Sequence, residues 1–341
     1  MSDPSSRPFR FWPFALVLLT VLGLIGALNY AIDPLWYAQG NRLTGKNFPF
    51  NERIAKVNLL RHTVETASYD CLILGSSRVT SLRPSRFVGQ HCFNLALKGA
   101  QIPEFLAYAR FARDAGLSPR TVYISVDEFN FLLNKETERR ANPEVRGSPN
   151  AFHAFFSADV LLFSLMTLAG VSPDVNAYYD AHFEAQETPG AAYAQPDLID
   201  KADLECDLAK VPAYQSLREV FPQARLVGYA PPVTPWYLAS DIYSRQVLDC
   251  GLRAFRQVAE SYDEFWDFGI PSVLTTDPKV SYDGSHFSPA ANDLVAAQLT
   301  GQRQDLALNV KRLSFEQYRQ EVRERLRIFL EQQGRGEFWK G

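Results

Sequence analysis

Residues Tyr69–Leu82 read YDCLILGSSRVTSL. A polar start passes into the continuous apolar run CLILG (71–75) and halts at Gly75-Ser76-Ser77-Arg78. An unbroken apolar run is what a parallel strand buried on both faces requires. Its ending on two serines has an ordinary explanation, since small polar residues close strands and open helices. It also has a chemical one: a hydroxyl at the carboxyl edge of an open α/β sheet stands where such folds bind ligands.

Working outward, four more runs read as strands: CFNLAL (92–97), TVYISVD (121–127), ARLVGYAPP (224–232) and EFWDFG (264–269). Helical segments alternate with them. Residues 51–67 place apolar side chains at 54, 57, 60 and 64, a helical period. Further helices are expected at 102–116, 240–262, 289–300 and 314–333. This alternation predicts a doubly wound, flavodoxin-like α/β fold on a five-stranded parallel sheet. Its expected parts are an N-terminus 1–10, an apolar helix 11–32, a linker 33–50, an α/β domain 51–310 and a C-terminal helix 311–341. Within the domain, residues 131–200 break the rhythm and read as an insertion that caps a site or rests near a membrane. Its apolar run Val160–Val171 is too short to span a bilayer and is expected as a buried helix.

The chain has 341 residues, 46% of them hydrophobic and 21% charged, with a formal charge of −3. That balance provides no basic surface for a nucleic acid, which is not an expected partner. Phe11–Ile32 contains no charged residue and includes FALVLLTVLGLIGAL. Its length suits a transmembrane helix. Arg7 and Arg10 precede it and Asp33 follows, so the positive-inside rule keeps the N-terminus cytoplasmic and places the remainder outside, in the periplasm if the membrane is an inner one. A cleaved signal peptide and a buried core helix are the rival readings, and the run is followed by poor cleavage sites. Cys71, Cys92, Cys206 and Cys250 match no zinc spacing. In an oxidising compartment they pair in sequence order, Cys71–Cys92 and Cys206–Cys250; as buried thiols they act as small hydrophobes.

Three arrangements imitate sites and are set aside. Gly40–Asn47, GNRLTGKN, has Asn where a phosphate-binding loop needs Ser or Thr, and no strand precedes it. His62 with Glu65, and Asp180 with His182 and Glu184, read as solvated faces. No metal and no cofactor are expected.

A serine attacks only when a base removes its proton and a third group orients that base. Of five histidines, His286 has the best company. In SYDGSHFSP, Asp283 stands three residues before it across a turn marked by Gly284. Such a turn folds the carboxylate back onto the imidazole. It equally serves as a plain capping turn before Pro289, with Ser288 as the cap. The loop follows the last expected strand, whereas Gly75-Ser76-Ser77 ends the first, and parallel strands end on one edge.

This order resembles the SGNH (GDSL-type) hydrolase superfamily. Gly75-Ser76-Ser77 stands for its first block, Asn94 to Gly99 for its second and Asp283-Gly284-Ser285-His286 for its last. The resemblance spans about residues 69–300. With the apolar N-terminus, it is most similar to the membrane-anchored acyltransferases of envelope polymers, such as the teichoic-acid D-alanyl transfer protein and the alginate acetylation proteins. It implies a serine esterase or O-acyltransferase working on an envelope or secreted polysaccharide beside a membrane-bound O-acyltransferase. The alternative is a non-catalytic carbohydrate-binding or assembly subunit. It implies Ser77 as nucleophile, His286 as base and Asp283 as its orienting acid. The oxyanion donors would be the N–H groups of Ser77 and Gly99, with Asn130 a weaker candidate. Ser76, Arg78, Asn94 and Asp127 are expected near the substrate. The third block departs from the family pattern: strand three runs into Val126-Asp127-Glu128-Phe129-Asn130, without the glycine. Ser76 replaces the usual aspartate, which leaves Ser76 as an alternative nucleophile. Asp127 and Glu128 are either structural or bind a polar acceptor. Arg78 either holds an anion or pairs with a carboxylate.

The topology has a direct check. A reporter active only outside the cytoplasm, fused after Gly341, is expected to be active; activity from a cytoplasm-specific reporter alone would reverse the orientation.

Overall fold

The computed structural model describes residues 11–133, 145, 150–173, 178–188, 193, 205–243 and 247–339. Arg7, Arg10 and much of the 131–200 insertion lie outside the described residues.

Among the described residues eight strands form: β1 (Cys71–Leu74), β2 (Cys92–Asn94), β3 (Thr121–Ser125), β4 (Leu132–Leu133), β5 (Glu205–Cys206), β6 (Arg225–Ala230), β7 (Glu264–Asp267) and β8 (Leu308–Asn309). The main sheet has six strands in the order β2-β1-β3-β6-β7-β8, and β4 pairs with β5 apart from it. All five expected strands are present and parallel. The expected five-stranded parallel sheet is nevertheless corrected to a mixed six-stranded one. Strand β8 joins β7 antiparallel through Trp266–Asn309 and Asp267–Leu308. Two residues are too few to show a periodicity, so the sequence carried no signal for it.

The main helices are α1 (Phe11–Ile32), α2 (Glu52–Thr63), α3 (Ile102–Asp114), α4 (Ala158–Leu168), α5 (Val247–Ser261), α6 (Pro289–Leu299) and α7 (Phe315–Gln332). The helix expected over 240–262 is two, Pro235–Tyr243 and α5. Strand side chains alternate between the two faces of the sheet. Leu72, Leu74, Val122, Ile124 and Leu226 meet α2, α3, α5 and α7 on one face. Cys71, Ile73, Tyr123, Val227 and Tyr229 meet Val295 and Leu299 of α6 on the other. The sheet is covered on both sides, which is why β1 reads as an unbroken apolar run.

The cysteines are bonded in sequence order. Cys71 and Cys92 open adjacent parallel strands as direct partners. Cys206 ties β5 to Cys250 on α5.

Residues 33–50 contain no long element yet pack closely. The Asp33 carboxylate accepts four backbone N–H groups, from Tyr37, Ala38, Gln39 and Gly40, at 2.7–2.9 Å. The Asn58 amide on α2 donates to the Leu35 carbonyl at 2.9 Å. The chain leaving α1 is thereby fastened to α2.

Helix α7 is fastened from inside. The Tyr318 hydroxyl donates to Asp267 Oδ2 at 2.5 Å, and the Gly269 N–H donates to Oδ1 at 2.8 Å. Burial pushes the Asp267 carboxyl up to about 6, although these hydrogen bonds pull it down. Between about pH 4 and pH 6 the folded chain then binds more protons there than the unfolded chain. The ionised carboxylate therefore costs stability that grows through that window and is constant above it. Asp267→Asn keeps an acceptor for Gly269 and removes the charge. Its stability relative to wild type is expected to rise by roughly 2–3 kcal/mol between pH 4 and pH 6. Urea unfolding in detergent across that range measures this, and a constant difference would show that Asp267 does not titrate there.

Candidate active site

Strand β1 delivers Gly75 to the sheet edge. A Cβ there would lie 2.2 Å from Val79 Cγ2 and 2.5 Å from Ser125 Oγ, so the turn closes only around glycine. The next two serines then separate in role. Ser76 is fully buried. Its hydroxyl donates to Asp127 Oδ1 at 3.0 Å and accepts the Arg78 N–H at 3.3 Å, capping the 3-10 turn Ser77–Val79. Ser77, the first residue of that turn, lines an open cleft of about 360 Å³ with Arg78, Thr80, Ser81, Lys98, Gly99, Tyr282, Asp283, His286 and Phe287.

Across the cleft, Ser281 and Phe287 bridge the base of a loop that carries Asp283 and His286. Asp283 Oδ1 accepts the N–H groups of Ser285 and His286 at 2.9 and 2.8 Å. Its Oδ2 lies 2.6 Å from His286 Nδ1. Capping turn and oriented imidazole are thus one structure. Burial alone would raise the Asp283 carboxyl, but hydrogen bonds from the His286 ring and from the Ser285 and His286 N–H groups hold it well below the usual carboxylate range. An ionised carboxylate only accepts, so Nδ1 carries a proton, and in the neutral form of the ring Nε2 is the acceptor. Ser77 Oγ lies 2.8 Å from that Nε2. The structure brings together Ser77, Asp283 and His286, and Gly99 lines the same cleft.

Gly99 holds φ +65°, a left-handed conformation that suits glycine. Among the described residues, neither its N–H nor that of Ser77 has an acceptor. Three side chains of α2 brace its loop. Glu52 accepts the Lys98 N–H at 3.1 Å and Arg53 donates to the Lys98 carbonyl at 3.1 Å. Lys56, fully buried, donates to the Ala96 carbonyl. Burial lowers the Lys56 ammonium to about 8, against the opposing pull of Glu52. Sequence reasoning missed all three, because polar residues at buried positions of a helix look like its solvated face until the neighbour is known.

Of the other expected site residues, Arg78 lines the cleft and Asn94, Asn130 and Asp127 do not. The Asn94 amide donates to the Val79 and Leu82 carbonyls at 3.0 and 2.8 Å and accepts the Ala96 N–H at 2.9 Å. It fastens the second loop to the first and does not line the cleft. Asn130, expected as an oxyanion donor, is corrected to a core residue. It donates to the Tyr214 hydroxyl at 3.0 Å and is 1% exposed. Strand β3 ends at Ser125, and the following 3-10 turn carries Asn130 inward. Asp127, expected near the substrate, is fully buried under Ser76 and Ser125. Burial pushes its carboxyl up to about 6, offset in part by Arg78. Arg78 itself is paired: its guanidinium donates to both Glu128 oxygens at 2.6 and 2.8 Å and to the Tyr237 hydroxyl at 3.1 Å. Asp180 accepts the N–H groups of His182 and Glu184, and Glu184 accepts from Ser85, so these carboxylates serve turns.

No family model and no curated protein sequence matches the chain. Among solved structures, one described as "a putative platelet activating factor from Streptococcus pneumonia" aligns at 14% identity over 72% of this chain and 91% of that one, with a TM-score of 0.37. A second aligns at 14% identity over 69% of this chain and 96% of that one, with a TM-score of 0.33. Likeness of that degree carries no argument about chemistry, which rests on the residues themselves.

Gly75→Ala tests the turn. The added methyl must displace Val79 or Ser125, and a loss of about 1–3 kcal/mol is expected by urea unfolding. Unchanged stability would show that the edge gives way freely.

Proposed function

We propose that this chain is a membrane-anchored serine esterase or O-acyltransferase of the SGNH type. The observation that carries the reading is the continuous chain of contacts from Ser77 Oγ through His286 to Asp283, open to a cleft. His286 Nε2 takes the Ser77 proton as Oγ attacks an ester carbonyl, and Asp283 stabilises the imidazolium that forms. The N–H groups of Ser77 and Gly99 receive the oxyanion, each such donor being worth roughly 10²–10³ in rate. Collapse breaks the ester C–O bond, and His286 returns its proton to the leaving alcohol. Water or a second hydroxyl then attacks the acyl-Ser77 carbonyl, giving hydrolysis or transfer. Ser77 is the nucleophile in this scheme because the Ser76 hydroxyl is buried and already donates to Asp127.

The cleft favours a small acyl group on a polar carrier. Thr80, Ser81, Lys98 and Tyr282 line it with Phe287, a mainly polar set. An acetylated envelope or exported polysaccharide fits that lining, and a membrane-bound O-acyltransferase is the partner that would supply the acyl group.

The anchor reading has its own support. Helix α1 has 22 residues, about 33 Å at 1.5 Å per residue, enough for a hydrocarbon core of about 30 Å. Its C-terminal end is part of the fold. The Asn29 amide donates to the carbonyls of Phe155 and Ser157 at 2.8 and 3.3 Å and accepts the Ser164 hydroxyl at 2.9 Å. Removing α1 as a signal peptide would give up these contacts, which supports a retained helix. The N-terminus is cytoplasmic and the α/β domain periplasmic.

A fluorophosphonate probe tests the chemistry. Wild type and Ser76→Ala are expected to label, and Ser77→Ala to lose labelling entirely. Labelling lost only in Ser76→Ala would move the nucleophile by one residue. A folded wild type that never labels would favour the non-catalytic binding subunit, a reading in line with Asn130 being turned into the core.

A further inference from the structure

Helix α4 and the short helix Ala151–Phe155 pack on the last two turns of α1. Their inward side is well made. Val160, Ser164 and Thr167 are buried, Ser164 against Asn29. A Cβ on Gly26 would sit 2.9 Å from the Phe156 ring, so that ring and α1 touch closely. The outward side is different. Phe152, Leu162, Leu165, Leu168 and Val171 are all exposed, between 45% and 65%. Residues 162, 165 and 168 recur every three positions and form one stripe along α4. The sequence predicted a buried helix here, and a soluble surface rarely leaves so much large apolar area uncovered.

We propose that this helical pair lies in the outer interface of the bilayer that α1 crosses, with the Leu162–Leu165–Leu168 stripe among the acyl chains. The inference rests on α1 being a retained anchor. The depth of the crossing argues for lipid as the occupant. Gly26 and Asn29 lie six and three residues before the end of α1 at Ile32, about 9 and 4.5 Å along its axis. Amphipathic helices settle about 5–10 Å into the headgroup and acyl boundary. Helix α1 itself exposes Leu16, Leu19, Leu22 and Leu24, and a helical pair packed on its end meets the same surroundings. At eleven residues α4 is about 16 Å long, too short to span but suited to lie across. Asn29 joins the two helices through polar contacts that the low dielectric of the interface strengthens. A single crossing helix leaves its own tilt in the bilayer free. A second lipid contact fixes its tilt, and with it the height of the Ser77 cleft above the membrane.

Spin labelling of the full chain in phosphatidylcholine–phosphatidylglycerol vesicles tests this. All four native cysteines are in disulfides, so one introduced cysteine is the only thiol. Labels go on Leu165→Cys and Leu168→Cys, with Leu19→Cys in α1 and Val273→Cys, an exposed site on the domain, as references. Oxygen collides preferentially with labels in lipid, and a nickel chelate with labels in water. Labels at 165 and 168 are expected to be oxygen-favoured, between the two references. If they match Val273→Cys while Leu19→Cys is lipid-exposed, the anchor stands and the inference fails. If Leu19→Cys is itself water-exposed, the anchor reading fails and takes the inference with it. Dipolar broadening at 165 that vanishes on dilution with unlabelled protein would put a second copy on this face and also overturn the inference.

Discussion

Parallel strands cannot be joined by tight turns, so every strand of such a sheet ends on the same edge. The contact between Ser77 and His286, 209 residues apart in sequence, depends on that constraint. Strand β1 brings the serine to the edge, and the loop before α6 brings the histidine back to it. Neither residue has the other as a local neighbour. Each is prepared locally, though: Ser77 by the cap that Ser76 places on its turn, and His286 by the carboxylate three residues before it. The sheet has only to align two loops that are already formed.

Buried charge holds the other walls. Arg78, Glu128 and Asp127 form a nearly dry cluster behind Ser77, stacked between the rings of Phe129 and Tyr237. A buried ion pair adds little net stability against apolar residues of equal volume, but loss of one partner is costly. The cluster therefore specifies the shape of the turn more than it strengthens the domain. The α2 brace works the same way on the facing loop. Glu52, Arg53 and Lys56 bind backbone atoms, so they define where Ala96–Gly99 runs whatever side chains that loop carries. Because Asn58 of the same helix holds Leu35, one element links the segment leaving the apolar helix to the wall of the cleft.

Much of this was legible in residue order. The five parallel strands announced themselves because burial makes their segments largely apolar, and the Asp283–His286 turn because both partners lie within one loop. Strand β8 was not legible, since two residues carry no period. Asn130 and Asn94 were misplaced for a different reason. An asparagine near a strand end looks the same whether its amide faces a cleft or a neighbouring carbonyl. Tyr214 and the Val79 carbonyl, which claim those amides, come from distant parts of the chain.

By itself the sequence determined the local chemistry: which segments are apolar enough to be buried or to cross a bilayer, where glycine permits a turn, and which carboxylate stands within one turn of which imidazole. Tertiary structure alone decided which of two adjacent serines keeps a free hydroxyl, which polar groups of α2 face inward, and that α4 shows its leucines to the outside. The physical reason is range. Hydrophobic period, capping and turn formation act over a few residues and leave a trace in order and spacing, whereas burial and hydrogen-bond satisfaction depend on partners that only the folded chain brings within 3 Å.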